Sequence, residues 1–226
     1  MPVTTEEALE ITQNTLSVSE RTYQALLDRI VARDIPAGEV LEERRLSESM
    51  DVSRTPLRAA LNRLLGEGIL TRLSNGSIMV RSFGATELVE LLQVRRLLES
   101  EAAGMAVGRI PDDRLSAVRQ RLEALIGEPD VALEADWAID NEVHDLIAMH
   151  CGNKSMAAII ADARRRVRMC NVERMPGRAL RARHEHLAIV VALQSGDAAS
   201  ARETMAAHLD NVRNTFMKTM GFFAHA

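Results

Sequence analysis

Aromatic residues are scarce in this chain, making up 3% of its 226 positions. Strands favour aromatic and β-branched side chains, so a β-sandwich or barrel is disfavoured. Lysine is almost missing: Lys154 and Lys218 are the only two, and arginine carries the rest of the basic charge. The cysteines Cys151 and Cys170 have a spacing that suits neither a disulfide framework nor a metal knuckle. No apolar run is long enough to span a bilayer, and the first residues are not a basic stretch followed by an apolar core. A cytoplasmic protein with no membrane partner is the expectation. Long low-complexity tracts and internal repeats are also lacking.

What is present favours helices. Ala, Leu, Arg and Glu dominate, and all four are good helix formers. Hydrophobic residues reach 46% and charged residues 27%, a balance that suits a folded protein. The length suits two compact domains better than one. The net charge is -4, which argues against wholesale coating of nucleic acid. From Arg44 to Arg81, however, seven arginines face three acids, a local excess of four positive charges. A patch of that kind is what phosphate contact needs.

Residues 1–18 are polar and patternless and read as a flexible N-terminal arm. Residues 19–82 carry helix, helix, tight turn, helix and hairpin. Tyr23, Leu26, Leu27 and Ile30 share one face of a helix from about Ser19. A second helix covers about Glu43 to Met50. Ser53 or Thr55 can cap a third, with Pro56 in its first turn and Leu57, Leu61 and Leu64 inward. Two short extended runs flank Asn75-Gly76, a hairpin signal. That order of elements is a winged helix-turn-helix. Its third helix would present its N-terminal end to the major groove. Arg54 and Arg58, one turn apart, could reach base edges or phosphates, and Thr55 a phosphate or a thymine methyl. Ser53 opens the same helix, Arg44 enters the second one, and Asn75-Gly76 forms the wing tip.

Residues 85–218 predict an all-helical antiparallel bundle, so the fold class is mostly α. Helices are expected near 86–108, 112–126, 131–150, 154–170, 179–195 and 198–217. The breaks fall at Pro111, Pro129, Gly152-Asn153, Pro176-Gly177 and Gly196-Asp197. Asp140 and His144 sit four apart on one helix face. His186 and His208 lie on apolar stripes of two other helices. One carboxylate and three imidazoles from three helices could hold a divalent cation. Asp136, His150 and His184 are rivals for those places. Arg95 also interrupts an apolar stripe, so it points inward and needs an anion. The anion could be an internal acid such as Glu99 or Asp140, or an organic-acid effector. Asn153 could line that pocket or cap a helix. One member of the Arg164, Arg165, Arg166 and Arg168 run could also turn inward.

Several segments carry a resemblance. Leu46-Ser47-Glu48, Val52-Ser53-Arg54-Thr55-Pro56-Leu57-Arg58-Ala59-Ala60-Leu61-Asn62-Arg63-Leu64 and Gly68-Ile69-Leu70 closely resemble the signature of GntR regulators. Tyr23, Ile30, Gly38 and Leu41 fit the same pattern. Arg33 departs from it where Gly is common, and Ala37 where Pro usually precedes Gly38. The C-terminal half resembles the FCD effector domain of the FadR subfamily. The matching segments are Val94-Arg95-Arg96-Leu97-Leu98-Glu99, Asp140-Asn141-Glu142-Val143-His144, Gly152-Asn153, Glu185-His186 with Ile189, Gly196-Asp197 and His208-Leu209. Val143 departs where Phe is usual.

The resemblance implies that Asp140, His144, His186 and His208 ligate a metal, and it sets this chain apart from the metal-free acyl-CoA-binding branch. It also favours an effector carboxylate, rather than an internal acid, as the partner of Arg95. Zinc is the first candidate, with nickel or manganese also suited to the ligand types. A homodimeric repressor is implied, binding double-stranded DNA at a pseudo-palindromic operator and sensing a small carboxylate. It would not be an enzyme. A purely structural metal, or a metal-dependent enzyme acting on a small acid, are the alternatives.

Overall fold

The computed structural model describes residues 17–128, 131–170 and 178–220. The expected breaks at Pro129 and Pro176-Gly177, and the arm up to residue 16, lie outside the described residues. The chain divides into two compact units between Ser82 and Phe83.

In the first unit, helix α1 spans Val18–Val31. Ser17 caps it, its Oγ accepting the Glu20 amide at 3.1 Å. Residues 17 and 18, expected in the arm, therefore belong to the cap and first turn of this helix. Its buried face is Thr22, Tyr23, Leu26, Leu27 and Ile30, the stripe read from the sequence with one threonine added. Strand β1 (Val40–Leu41) precedes α2 (Glu43–Ser49) and α3 (Arg54–Gly66). Strands β2 (Leu70–Arg72) and β3 (Ile78–Val80) form the hairpin. The sheet has three antiparallel strands in the order β1-β3-β2, so the hairpin gains a strand that was not expected. Two residues are too few to show an alternating pattern.

Leu26, Leu57, Leu61, Leu64 and Ile69 are fully buried and tie α1, α3 and the sheet together. Each such side chain contributes about 1.5–3 kcal/mol relative to an exposed one. Polar groups reinforce one edge. Tyr23 donates its hydroxyl hydrogen to Glu67 at 2.8 Å, and the Arg63 guanidinium stacks 3.6 Å above the Tyr23 ring. Among the described residues, two non-glycine positions have left-handed backbone: Arg33 at φ 68° and Asp51 at φ 50°. The turn after α1 therefore demands at Arg33 the conformation that glycine adopts without steric cost.

In the second unit all the described regular structure is helical. It comprises α4 (Ala85–Ala106), α5 (Asp112–Gly127), α6 (Leu133–His150), α7 (Lys154–Met169), α8 (Arg178–Gln194) and α9 (Ala198–Thr219). The limits agree with the sequence reading to within two residues. Asn153 caps α7 by accepting the Met156 amide at 3.0 Å. Asp197 caps α9 by accepting the amides of Ala199 and Ser200. α4 lies against α9, α7 and α6, and α5 against α8. Ala102, Ala103 and Ala106 keep α4 slim where it enters the core. Around them pack Leu122, Ile147, Ile160, Ile189 and Met205. A smaller cluster holds Leu88, Leu92, Val167, Val212 and Phe216. Among the described residues no helix is long and apolar enough to cross a membrane.

Candidate DNA interface and metal centre

The N-terminal end of α3 is a polar, solvent-facing surface. Ser53, Arg54, Thr55 and Arg58 are exposed, while Pro56, Leu57, Ala60, Leu61 and Leu64 are buried on the opposite side. Ser53 stands at the N-cap position, but its side chain makes no cap hydrogen bond, contrary to one of the two capping expectations. Its hydroxyl faces solvent instead. Arg58 donates from Nε to Glu43 of α2 at 2.8 Å. Arg44 is exposed and lies 3.8 Å from Glu48. Arg45, not singled out from the sequence, is equally exposed and pairs with Glu42 at 3.1 Å. These exposed pairs are weak, so the guanidinium groups can exchange them for phosphates. At the wing tip, Asn75 accepts the Ser77 amide at 3.0 Å and Gly76 adopts φ 86°. Arg72 donates to the Gly76 carbonyl at 3.1 Å, which braces the turn.

In the second unit, Asp140 and His144 of α6, His186 of α8 and His208 of α9 converge. One ligand atom from each lies within 4.8 Å of the others. The three imidazoles are almost completely buried, and their ring centroids are 4.5–5.3 Å apart. Asp140 Oδ1 lies 3.3 Å from His186 Nε2 and 3.7 Å from His144 Nε2. The rivals stay outside. Asp136 is gripped by Arg183, whose Nε and Nη2 donate to its two oxygens at 2.7 and 3.0 Å. His150 pairs through Nδ1 with the Leu146 carbonyl, and His184 is exposed.

A cation fits this donor set. Among the described residues, His144 Nε2 and both nitrogens of His186 are buried without a hydrogen-bond partner. Buried polar atoms of that kind normally have one. Burial, and then Arg164, lowers the His144 pKa to about 4. Burial, and then His186, lowers that of His208 to about 3. Both rings are therefore neutral near pH 7, with a lone pair free for a metal. Burial alone would raise the Asp140 carboxyl, but Arg164, followed by His144 and His186, holds it well below the usual carboxylate range. The centre offers three nitrogens and one carboxylate, the ligand types of divalent transition metals.

A cavity opens beside the cluster, lined in part by Arg95, Asp140, Arg178, Arg183, His186 and His208. Arg95 is buried and donates from Nε to Glu99 at 2.5 Å. Its nearest anion is thus an internal acid, although the side chain still lines the cavity. Asn153 is an exposed capping residue and is not part of the cavity wall, so the capping alternative is the one its geometry fits. From the arginine run it is Arg164 that turns inward, donating to Asp140 at 2.9 Å and Asn141 at 3.0 Å. Sequence reasoning gives no role to Arg178 or Arg183, names Glu185 only within the Glu185-His186 segment of the resemblance, and treats Glu99 only as a partner for Arg95. Arg178 donates to Glu185 at 2.6 Å, and Glu185 lies 2.8 Å from His208 Nδ1. Burial opposes ionisation of Glu185, but hydrogen bonds from His208 and Arg178 lower its pKa to about 2. The four-residue spacing of Arg95 and Glu99 was a signal that could have placed both inside.

Comparison with known proteins agrees with both halves. Residues 18–80 match the model described as bacterial regulatory proteins, gntR family, and residues 90–211 match the FCD domain. The chain is 28% identical over 165 residues to the Nta operon transcriptional regulator of Aminobacter aminovorans, covering 73% of this chain and 79% of that one. It is 23% identical over 204 residues to the HTH-type transcriptional regulator LutR of Bacillus subtilis, covering 80% and 93%. The solved structure of E. coli McbR/YncC superposes with a TM-score of 0.77 at 19% identity, covering 91% of this chain and all of that one. These families and relatives are DNA-binding transcriptional regulators, not enzymes. The chain belongs to the GntR family of bacterial regulatory proteins and carries an FCD domain as its C-terminal half.

Proposed function

We propose that this regulator is a homodimeric repressor whose C-terminal domain binds a divalent metal and a small organic acid together. The convergence of Asp140, His144, His186 and His208 beside a cavity bearing Arg95, Arg178 and Arg183 carries this reading. The metal is held by those four side chains, with zinc first and nickel or manganese as further candidates. When bound, it supplies a Lewis-acidic anchor for carboxylate oxygens. Arg95 lies in the cavity wall as a second anchor for the acid.

Two copies of α3 read a pseudo-palindromic operator. Arg54, Thr55 and Arg58 face the major groove, Arg44 and Ser53 the phosphates, and Asn75-Gly76 the neighbouring minor groove. The acid changes operator affinity by as much as it prefers one arrangement of the dimer over the other. A thermal-shift screen of small organic acids, with and without chelator, tests the reading. Acids that raise Tm only in the presence of metal are expected. Stabilisation that chelator leaves unchanged would remove the metal from ligand binding.

A further inference from the structure

The cluster is held by two parallel chains of side chains. In one, Arg95 of α4 donates from Nε to Glu99 Oε1 at 2.5 Å, and Glu99 Oε2 pairs with His144 Nδ1. In the other, Arg178 of α8 donates from Nη2 to Glu185 Oε2 at 2.6 Å, and the same oxygen lies 2.8 Å from His208 Nδ1. Glu185 Oε1 accepts a further bond from Asn211 at 3.0 Å. Each chain therefore runs from a buried arginine, through a carboxylate, to the Nδ1 edge of a histidine. Among the described residues His186 has no such partner at either nitrogen.

A carboxylate only accepts, so the histidine nitrogen facing it must carry the hydrogen. At His208 the Arg178 Nη2 lies 3.3 Å from the same Nδ1, but guanidinium nitrogens only donate. The closer Glu185 oxygen settles that contest in favour of Nδ1–H. With the hydrogen on Nδ1, the lone pair of each ring sits on Nε2. For His144, Nε2 is the atom that lies 3.7 Å from Asp140.

We propose that Glu99 and Glu185 are positioning residues for the metal centre, each fixing one histidine in the tautomer and orientation that offers Nε2 to the ion. The inference rests on the metal reading above. Carboxylates behind ligand histidines raise ligand basicity and restrict the ring, and losing one weakens metal binding about 10–100-fold. The two arginines hold the carboxylates in turn. They keep the glutamates ionised in a buried site, where a carboxylate without a partner would be costly.

The test uses the full-length chain labelled with 15N-histidine, together with Glu185→Gln, Glu99→Gln and the exposed control Glu203→Gln. Long-range 1H–15N NMR on the chelator-treated protein reads the tautomers. Competition titration with Co2+, followed by its visible absorption, reads metal affinity. His144 and His208 are expected as Nδ1–H tautomers, with each glutamine variant altering only its own histidine. Glu185→Gln and Glu99→Gln should weaken Co2+ binding at least tenfold, and Glu203→Gln should leave it unchanged. If the wholly buried Glu99→Gln does not fold, the partly exposed Glu185→Gln decides the matter. An Nε2–H tautomer at His208 in the wild type, or Co2+ affinity in Glu185→Gln within twofold of wild type, overturns the proposal alone. A wild-type chain that takes up no Co2+ overturns the metal reading and the proposal with it.

Discussion

Asp140 Oδ1 lies 3.3 Å from His186 Nε2, yet among the described residues that imidazole nitrogen has no well-aligned hydrogen bond. A carboxylate oxygen and a buried imidazole nitrogen that face each other without a well-aligned hydrogen bond are both open to a third party. A cation between them would occupy the lone pairs that the protein leaves vacant.

Removal of that cation should cost stability. A ligand present at a thousand times its Kd stabilises the folded state by about 4 kcal/mol. Chelation should therefore lower Tm by on the order of 10 °C for a domain of this size. His186→Ala should abolish metal uptake, measured by elemental analysis, and should make Tm insensitive to chelator. Equal metal content in the variant would remove His186 from the ligand set.

Metal-free protein should also be sensitive to acid. The unfolded chain protonates its histidines near pH 6.5. In the folded chain, His144 does so only near 4 and His208 only near 3. The unfolded state thus binds more protons below pH 6.5, and stability falls as the pH drops from there towards 4 and below. Glu185, held at about 2, adds to the loss below its unfolded value of about 4.5. Chelator-treated protein melted between pH 7.5 and 4 should show a falling Tm. A flat profile would contradict the buried, neutral histidines.

Arg58→Ala should weaken specific operator binding by about fivefold or more, since a base contact is worth about 1–3 kcal/mol. The Arg58 partner Glu43 is itself partly exposed, so the fold should lose less than about 1 kcal/mol. Fluorescence anisotropy on operator DNA and a urea melt separate the two effects. Unchanged affinity would remove Arg58 from the recognition surface.

Arg33 holds a left-handed backbone at φ 68°. Arg33→Gly should relieve that strain and stabilise the N-terminal unit by about 1 kcal/mol. A rise in the urea midpoint with unchanged slope is the expected result, and a fall would show that the arginine side chain stabilises the turn.

Periodic features were legible in the sequence. The α1 stripe, the α3 core leucines and the limits of the six C-terminal helices all follow from apolar spacing and from Gly, Pro and Asp punctuation. Asp140 and His144 could be paired because four residues make one turn. His186 and His208 could only be placed on apolar faces, because nothing local says which helices will meet. The roles of Arg178 and Glu185 were hidden for the same reason, since they depend on His208 of another helix. Strand β1 escaped because it is stabilised by pairing with β3 rather than by its own pattern. Arg164 was hidden among similar neighbours, and only the partner Asp140 distinguishes it.

The central claim is that the C-terminal site controls the N-terminal one. Its most direct test is the operator affinity of the full chain, measured by anisotropy on DNA selected by the protein itself. The measurement is made with metal present, with and without the organic acid that raises Tm most. The account predicts a change of at least fivefold, within the usual range of coupling between sites. It also predicts that chelator or His208→Ala removes the change. The same operator affinity with and without acid in the metal-loaded wild type would contradict it.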